Sequence, residues 1–283
     1  MKCTRPFKKV IDDVVRELPC GQCMACRLNH ARMWSIRISH EASCHTHNVF
    51  LTLTYDDEHL PPDGSVHKRD FQLFLKRLRK ELKSDKIRYF GCGEYGDKFG
   101  RPHYHLIIFG ISMESKVFKN KRYDAKTNGY HCSMSSWPNG FCHIGTVTVD
   151  SANYVAGYVT KKLKGKGAKE HYDKLGIQPE FVLMSRRPGI GAEYFYRQKK
   201  RMENLGFVWC KDKKYALPRF YQERISEDVR LEKKLNRKIE PDIKGLVEAK
   251  AQGIRYSQYL DSQRLQLERN IVASQKIRGE RGE

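Results

Sequence analysis

Apolar and polar residues alternate with two different periods along the first two thirds of the chain. Between Cys26 and Ala42, and again after Ser65, apolar residues recur every three or four positions while Lys and Arg occupy the opposite side, which predicts two amphipathic helices. Ser65 is placed to cap the second helix. Four runs rich in β-branched and aromatic residues predict strands. These runs are residues 49–55, 87–94, 103–109 and 141–149.

The remaining segments carry weaker patterns. A third helix is expected from Ala152 to about Leu163, with the Asp-Ser pair at 150–151 as its cap. Residues 111–140 show neither period, so we expect a variable loop region there. At roughly 150 residues per domain, a chain of 283 residues fits about two domains, or one domain with long additions.

Changes in composition predict three segments. Residues 1–45 would form a cysteine-rich N-terminal element and helix, and residues 46–219 a mixed domain of strands and helices with basic loops. Residues 220–283 turn polar and helix-prone, which predicts a helical or partly disordered extension.

Net charge is the strongest compositional feature. Lys and Arg number 54 against 33 Asp and Glu, a formal net charge of +21. Phosphate backbones bind such residues with release of counterions, so nucleic acid is the expected partner. An anionic membrane surface and a merely basic soluble protein are the alternatives. No run approaches 18 apolar residues, and the first fifteen residues lack a signal-peptide core, so we expect neither a membrane span nor secretion.

Two histidines flank a tyrosine at the start of the third strand, as His103-Tyr104-His105. Alternate strand residues share a face, so both imidazoles can bind one divalent cation while Tyr104 packs on the opposite face. Glu94 ends the preceding strand and becomes a third ligand if the turn returns beside it, with Asp97 as a weaker substitute. One carboxylate and two histidines suit Mg²⁺ or Mn²⁺. Structural histidines and a surface carboxylate are the plainer alternative.

Tyr154 and Tyr158 are spaced to share one face of the third helix, and Lys161 or Lys162 follows about one turn later. Two helical aromatics are more often core residues, but the lysines beyond them favour a surface that meets phosphate. Beside a cation, such a phenol can attack a phosphodiester and form a phosphotyrosine bond, which conserves the bond energy for rejoining. The nearby lysine favours Tyr158 for the first cut.

In this order the two motifs resemble the HUH-type rolling-circle replication initiators. The closer resemblance is to the initiator of the Microviridae, small single-stranded-DNA phages, in their gokushovirus branch. It extends from about residue 3 to 220. Besides the histidine and tyrosine motifs, it is carried by five local sequences: Cys20–Arg27, Phe50–Pro61, Gly93–Gly96, Arg101–Leu106 and Met184–Gly191.

This resemblance implies an α+β fold, the HUH endonuclease fold related to ferredoxin- and RRM-like folds, with a central antiparallel sheet and flanking helices over residues 46–219. It implies a nickase and ligase that cuts phage DNA at the origin, stays on the 5′ end through tyrosine and leaves a 3′-OH. The family's metal ligands fall on His103 and His105 and its nucleophiles on Tyr154 and Tyr158. Glu94 as third ligand is a less direct transfer.

The resemblance also implies partners and a location. They are single-stranded and origin DNA together with the host helicase and polymerase, in the host bacterial cytoplasm, with no membrane and no small-molecule substrate.

Nine cysteines without a secretion signal disfavour a disulfide framework. Cys20, Cys23 and Cys26 are spaced by two residues, and Cys3 would supply a fourth thiolate for a tetrahedral structural Zn²⁺. The usual pair of well-separated C-x-x-C knuckles is absent. Reduced, buried cysteines at the start of a helix and an Fe–S cluster remain alternatives.

Further basic residues are expected to contact the DNA backbone, with a solvated positive surface as the alternative. They are Lys164, Lys166, Arg186 and Arg187. Two other function classes stay open: a non-catalytic, zinc-containing nucleic-acid-binding protein, and a related HUH transposase. The second tyrosine and the cysteine cluster count against the transposase.

Overall fold

The structure is a computed structural model. It describes residues 2–11, 14–83, 86–96, 100–158, 167–210, 213–225 and 243–280. The chain forms two compact units, which are described separately. The first contains Met1–His30, Glu203–Gly206 and Arg219–Glu283, and the second contains Ala31–Met202 and Phe207–Pro218. The three-segment boundaries at residues 45 and 219 stay predictions.

Strands and helices are mixed along the whole chain. In chain order they are β1 Phe7–Ile11, β2 Val14–Leu18, α1 Met24–Ala42, β3 Asn48–Tyr55, α2 Lys68–Leu82, β4 Arg88–Tyr95, β5 Pro102–Phe109, β6 Lys119–Asp124, β7 Gly129–Ser133, β8 Gly140–Thr146, α3 Val149–Tyr158, α4 Ala168–Leu175, β9 Phe181–Met184, α5 Ala192–Leu205, β10 Phe207–Cys210, β11 Lys213–Ala216, α6 Arg219–Gln222, α7 residues 243–251 and α8 Tyr256–Glu280.

Seven antiparallel strands form the central sheet of the second unit, in the order β6-β7-β8-β3-β5-β4-β9. The expected α+β fold with a central antiparallel sheet is confirmed. β3 and β5 lie in the middle because their sequences are apolar on both faces.

One face of the sheet packs against α2. Leu51 and Leu53 of β3 and Leu106 of β5 point to this side and are fully buried with Phe71 and Phe74 of the helix. Tyr104 also lies here, fully buried, as expected. We call this side the α2 face.

The opposite side, the α3 face, is covered by α1 and α3. Ala152, Val155 and Ala156 of α3 are buried with Ile107 and Phe109 of β5. Small side chains at i, i+3 and i+4 let this helix lie close to the sheet. α3 therefore has a fixed position over β4 and β5.

The expectation of a loop region over residues 111–140 is wrong. β6 and β7 form a hairpin that extends the sheet beyond β8. Nearly all of β6 is exposed and charged, as on an edge strand, so it carries no apolar alternation that could be read from the sequence.

Both predicted helix caps are also corrected. α2 begins after His67, and the Ser65 hydroxyl instead accepts a hydrogen bond from the Gln178 backbone N–H. α3 begins one residue after Thr148, whose hydroxyl accepts a bond from the Ser151 backbone N–H at 3.1 Å. Each of these sequences holds several cap-forming residues, so the spacing alone selected the wrong one.

The first unit contains the β1–β2 hairpin and the helix α8. Leu267 and Ile271 of α8 pack against a cluster of cysteines, and Arg264 forms an ion pair with Glu17 at 2.8 Å. No helix among the described residues is long and apolar enough to cross a membrane.

Candidate active site and cysteine cluster

Strand register places the predicted metal ligands on the α3 face. Glu94 of β4 lies directly opposite His103 of β5, as the sequence predicts. The imidazoles of His103 and His105 share the face, with ring centroids 6.2 Å apart. Glu94 is only 3% exposed, so it is not a surface turn carboxylate. Asp97 lies outside the described residues.

Threonines of the neighbouring strand orient both imidazoles. Thr52 Oγ1 lies 3.0 Å from His105 Nδ1, and Thr54 Oγ1 lies 3.1 Å from His103 Nδ1. A hydroxyl can donate or accept, so it satisfies Nδ1 in either tautomer and leaves Nε2 for the site. The sequence analysis did not single out these threonines, although the polar alternation within β3 carries their signal.

Glu94 and His105 form a buried pair. Glu94 Oε1 lies 3.0 Å from His105 Nε2, and the His105 residue is 6% exposed. On the other side, a Cβ atom at Gly96 would lie 3.0 Å from His103 Nε2, so the glycine leaves this nitrogen room. The imidazole Nε2 atoms and one carboxylate oxygen are therefore the atoms offered at the site.

Both candidate nucleophiles surround His105. The Tyr158 ring stacks on His105 with centroids 4.9 Å apart, and Tyr154 meets His105 edge-on at 5.5 Å. The two phenol rings contact each other at 4.8 Å. Phe50 of β3 completes the ring cluster, 6.0 Å from His105. The predicted histidine and tyrosine motifs are thus adjacent in space.

The two tyrosines differ in exposure. Tyr154 is 52% exposed, whereas Tyr158 is 6% exposed. Burial, a hydrogen bond to Tyr154 and the nearby charge of Glu94 all raise the pKa of the Tyr158 phenol. Because this bond raises the pKa of Tyr158, Tyr158 is its donor and the Tyr154 oxygen its acceptor.

A groove of about 450 Å³ runs from the ring cluster toward β7 and β8. We call it the Tyr154 groove. His143 lies within it, 2.7 Å from the Thr127 hydroxyl, and Asn128 lies beside Thr127. The sequence analysis missed these residues because Thr127 and Asn128 lie in the hairpin it had assigned to a loop.

The predicted basic residues fall in two places. Lys161, Lys162, Lys164 and Lys166 lie outside the described residues. Arg186 and Arg187 are exposed in the turn after β9.

Four cysteines of the first unit converge, as the sequence analysis expected. The sulfur atoms of Cys3, Cys20, Cys23 and Cys26 all lie within 4.8 Å of one another. Cys3 Sγ is 3.5 Å from Cys20 Sγ and 3.7 Å from Cys23 Sγ. Tetrahedral Zn–S bonds of about 2.3 Å place sulfurs about 3.8 Å apart, so this group can hold a metal ion.

Local hydrogen bonds separate these thiols. Burial opposes ionisation of Cys23, but bonds from the Thr4 side chain and from the backbone outweigh it and lower the pKa of Cys23 to about 5. Burial raises the pKa of Cys26 to about 12. Within the described part of the chain, no other set of three or more Cys, His, Asp or Glu ligand atoms is so closely grouped. Glu94, His103 and His105 therefore form a more open arrangement.

Comparison with known proteins identifies the family. Residues 48–163, which include Glu94 and both the histidine and tyrosine motifs, match the family model for the replication-associated protein ORF2. The chain is also 35% identical over 251 residues to replication-associated protein VP4 of Bdellovibrio phage phiMH2K, covering 79% of this chain and 76% of that protein. The chain belongs to this family of replication-associated proteins.

Two other members are similar. Replication-associated protein ORF2 of Spiroplasma virus 4 is 34% identical over 234 residues, covering 77% of this chain and 70% of the relative. Replication-associated protein ORF4 of Chlamydia phage 1 is 28% identical over 223 residues, covering 75% and 55%. No solved structure matches the chain. The expected resemblance to a phage replication protein is confirmed.

Proposed function

We propose that this protein initiates rolling-circle replication of a phage genome, as an HUH-type endonuclease that nicks DNA at the origin and later rejoins it through a 5′-phosphotyrosine intermediate. One observation carries the proposal: His105 contacts the Glu94 carboxylate and both phenol rings, those of Tyr154 and Tyr158. Candidate metal ligands and nucleophiles thus meet at one point of the α3 face.

Exposure favours Tyr154 for the first cut, in place of the Tyr158 that the lysine spacing suggested. The Tyr154 phenol reaches the groove, and the bond donated by Tyr158 stabilises negative charge on the Tyr154 oxygen. As the Tyr154 oxygen bonds to phosphorus, the bond from phosphorus to the 3′ oxygen breaks. The phenol loses its proton, the 3′ oxygen gains one, and the 5′ phosphate stays on the protein.

Tyr158 would perform the second transfer. After the first cut its hydroxyl lies one helical turn from the tyrosine that holds the DNA. Lys161 and Lys162 follow in sequence, and we assign them the supply of positive charge or of the proton for the departing oxygen. Two phenols thus allow two successive cuts without release of the genome.

Glu94, His103 and His105 would hold Mg²⁺ or Mn²⁺. Their fit rests on the chemistry of the set: one carboxylate, and two imidazoles whose Nδ1 atoms are already bonded to threonines. Such an ion polarises the scissile phosphate and stabilises the charge that develops on it.

The Tyr154 groove would hold the single strand beside the scissile phosphate. It leads to the part of the sheet formed by β6, β7 and β8, where Phe141 of β8 is 64% exposed. Phe141 lies opposite Thr54 in register and therefore on the α3 face, so a base can stack on it. Lys164 and Lys166 would contact the DNA backbone.

The same function sets the partners. A nick leaves a 3′-OH for the host polymerase, and unwinding ahead of it requires the host helicase, so we place the protein in the host bacterial cytoplasm.

We propose that the cysteine cluster holds a structural Zn²⁺. The sulfur distances of 3.5 and 3.7 Å support it, as does the packing of α8 against the same cysteines. The ion would join Cys3 to the Cys20–Cys26 segment, because β1 and β2 alone provide little core.

The experiment is covalent capture of DNA. The full-length protein is incubated with a labelled single strand that carries the origin sequence, with Mn²⁺ or with EDTA, and separated on a denaturing gel. A labelled adduct that requires Mn²⁺ and is lost in the Tyr154→Phe/Tyr158→Phe double variant supports the proposal. Tyr196→Phe, at an exposed tyrosine of α5, is the matched control.

The rival functions give different results. A non-catalytic binder shifts the DNA on a native gel but forms no adduct. A transposase joins transposon-end DNA to a second strand, whereas an initiator acts on origin DNA.

A further inference from the structure

A second groove, of about 660 Å³, lies at the β4–β9 edge of the sheet. Tyr89 of β4 lies within it, on the α2 face, and Gln72 and Arg79 of α2 form one wall. Arg186 and Arg187 form the other wall. We call it the arginine groove.

Three guanidinium groups of this groove lack an acidic partner within the described part of the chain. They belong to Arg79, Arg186 and Arg187. Arg88, which also lines the groove, differs because it forms an ion pair with buried Glu41. No carboxylate lines the groove, so its positive charge is uncompensated there.

The turn that carries two of these arginines is anchored on both sides. The Ser185 backbone N–H donates to the Tyr89 carbonyl at 2.9 Å, and the Tyr89 N–H donates to the Ser185 hydroxyl at 3.1 Å. Arg88 Nη2 donates to the Pro188 carbonyl at 2.8 Å. The backbone of Arg186 and Arg187 is thus held between two fixed points, which reduces the entropy lost on binding.

This groove is separate from the candidate active site. Tyr89 and Glu94 are five residues apart on β4, or about 17 Å along a strand, and they point to opposite faces of the sheet. A DNA strand in the Tyr154 groove therefore does not fill the arginine groove.

The chemistry favours phosphates over bases. Guanidinium groups bind phosphate oxygens in pairs. The groove's one aromatic ring, Tyr89, is half-buried and already covered by Arg79, whose guanidinium carbon lies 5.6 Å from the ring centroid. With no open ring for stacking, the groove suits duplex DNA, whose bases are hidden and whose phosphates are exposed.

We propose that the arginine groove binds the phosphate backbone of double-stranded DNA beside the origin, as a second contact outside the nicking site. This rests on the proposed function only in taking DNA as the partner. The protein would hold flanking duplex on the α2 face while the α3 face acts on the single strand.

Fluorescence anisotropy on the full chain tests this with two probes: a short single strand spanning the nick site, and the same strand joined to a duplex of about two helical turns. The variant is Arg79→Gln/Arg186→Gln/Arg187→Gln. The control, Lys76→Gln/Arg77→Gln/Lys80→Gln, removes the same charge from exposed positions of α2 outside the groove.

We expect the groove variant to lose on the order of 10- to 100-fold in affinity for the duplex-bearing probe, and its salt-dependence slope to fall by about 2 to 3. Its affinity for the short strand should change no more than that of the control. Equal losses in variant and control, or equal losses on both probes, overturn the inference. Because binding is the readout, the result stands apart from adduct formation, whose absence would refute only the nicking function.

Discussion

The imidazole of His105 stacks on the phenol of Tyr158, with ring centroids 4.9 Å apart and planes 8° from parallel. Residues from a central strand and from the helix across it are thereby joined, and both are almost fully buried. A buried phenol against an imidazole could be ordinary core packing. The exposed Tyr154 at the same imidazole, and the carboxylate on its other side, are what turn this contact into a candidate reaction centre.

The two phenols should separate into two steps. Tyr154→Phe should abolish covalent capture of a single-strand origin probe, because its phenol is the one that reaches the groove. Tyr158→Phe should still form the adduct but fail to transfer the bound strand to a second 3′-OH. Denaturing gels with two labelled strands measure both. The reverse pattern would assign the first cut to Tyr158.

Thr52→Val should weaken Mn²⁺ binding by about 10- to 100-fold, because the hydroxyl that orients His105 is lost while the side-chain shape is kept. Calorimetric titration of the apo protein with Mn²⁺ measures this directly. Thr52→Ser retains the hydroxyl and should bind nearly as the wild type does. If Val and Ser variants bind alike, the threonine does not position the histidine.

Metal analysis of the purified protein should find about one zinc per chain. Cys23→Ser should lose it and lower the thermal unfolding temperature, since the cluster joins separate segments of the first unit. Cys44→Ser, at a cysteine outside the cluster, is the control and should keep the zinc. Full zinc occupancy in the Cys23 variant would contradict the assignment.

Stability should fall on mild acidification because of His40. Burial lowers the pKa of this imidazole to about 4. Between pH 6.5 and 4 the unfolded chain binds a proton that the folded chain does not. The stabilisation is therefore complete above pH 6.5 and is lost toward pH 4, by on the order of 3 kcal/mol.

Urea unfolding from pH 7 to 4 measures this loss. His40→Phe, which can keep the ring stack on Tyr194, should flatten the pH dependence by about one proton. His47→Gln, at an exposed histidine, should follow the wild type. Parallel curves for wild type and the His40 variant would exclude His40 as the cause.

Local patterns were sufficient to predict the centre of the sheet. The apolar runs of β3 and β5 and the short return from Glu94 to His103 were enough to predict that these residues are neighbours. The α3 helix followed from its own spacing, which placed Tyr154 and Tyr158 on one side.

Long-range contacts were beyond the same patterns. Thr52 matters only because β3 pairs with β5, and Thr127 only because a polar edge hairpin extends the sheet. The contact between His105 and Tyr158 depends on how α3 packs across the sheet, which no spacing within a single element encodes. Cys3 could be assigned to the cluster from its residue type alone, since its chemistry leaves few other partners.

The most direct test of the central claim is mass spectrometry of the captured adduct. After reaction with an origin single strand and Mn²⁺, nuclease and trypsin digestion should leave a nucleotide linked through its 5′ phosphate to Tyr154. In the Tyr158→Phe variant the same linkage should persist. A nucleotide on Tyr130 or on any residue outside α3, or a protein that binds the strand and never carries a nucleotide, would contradict the account.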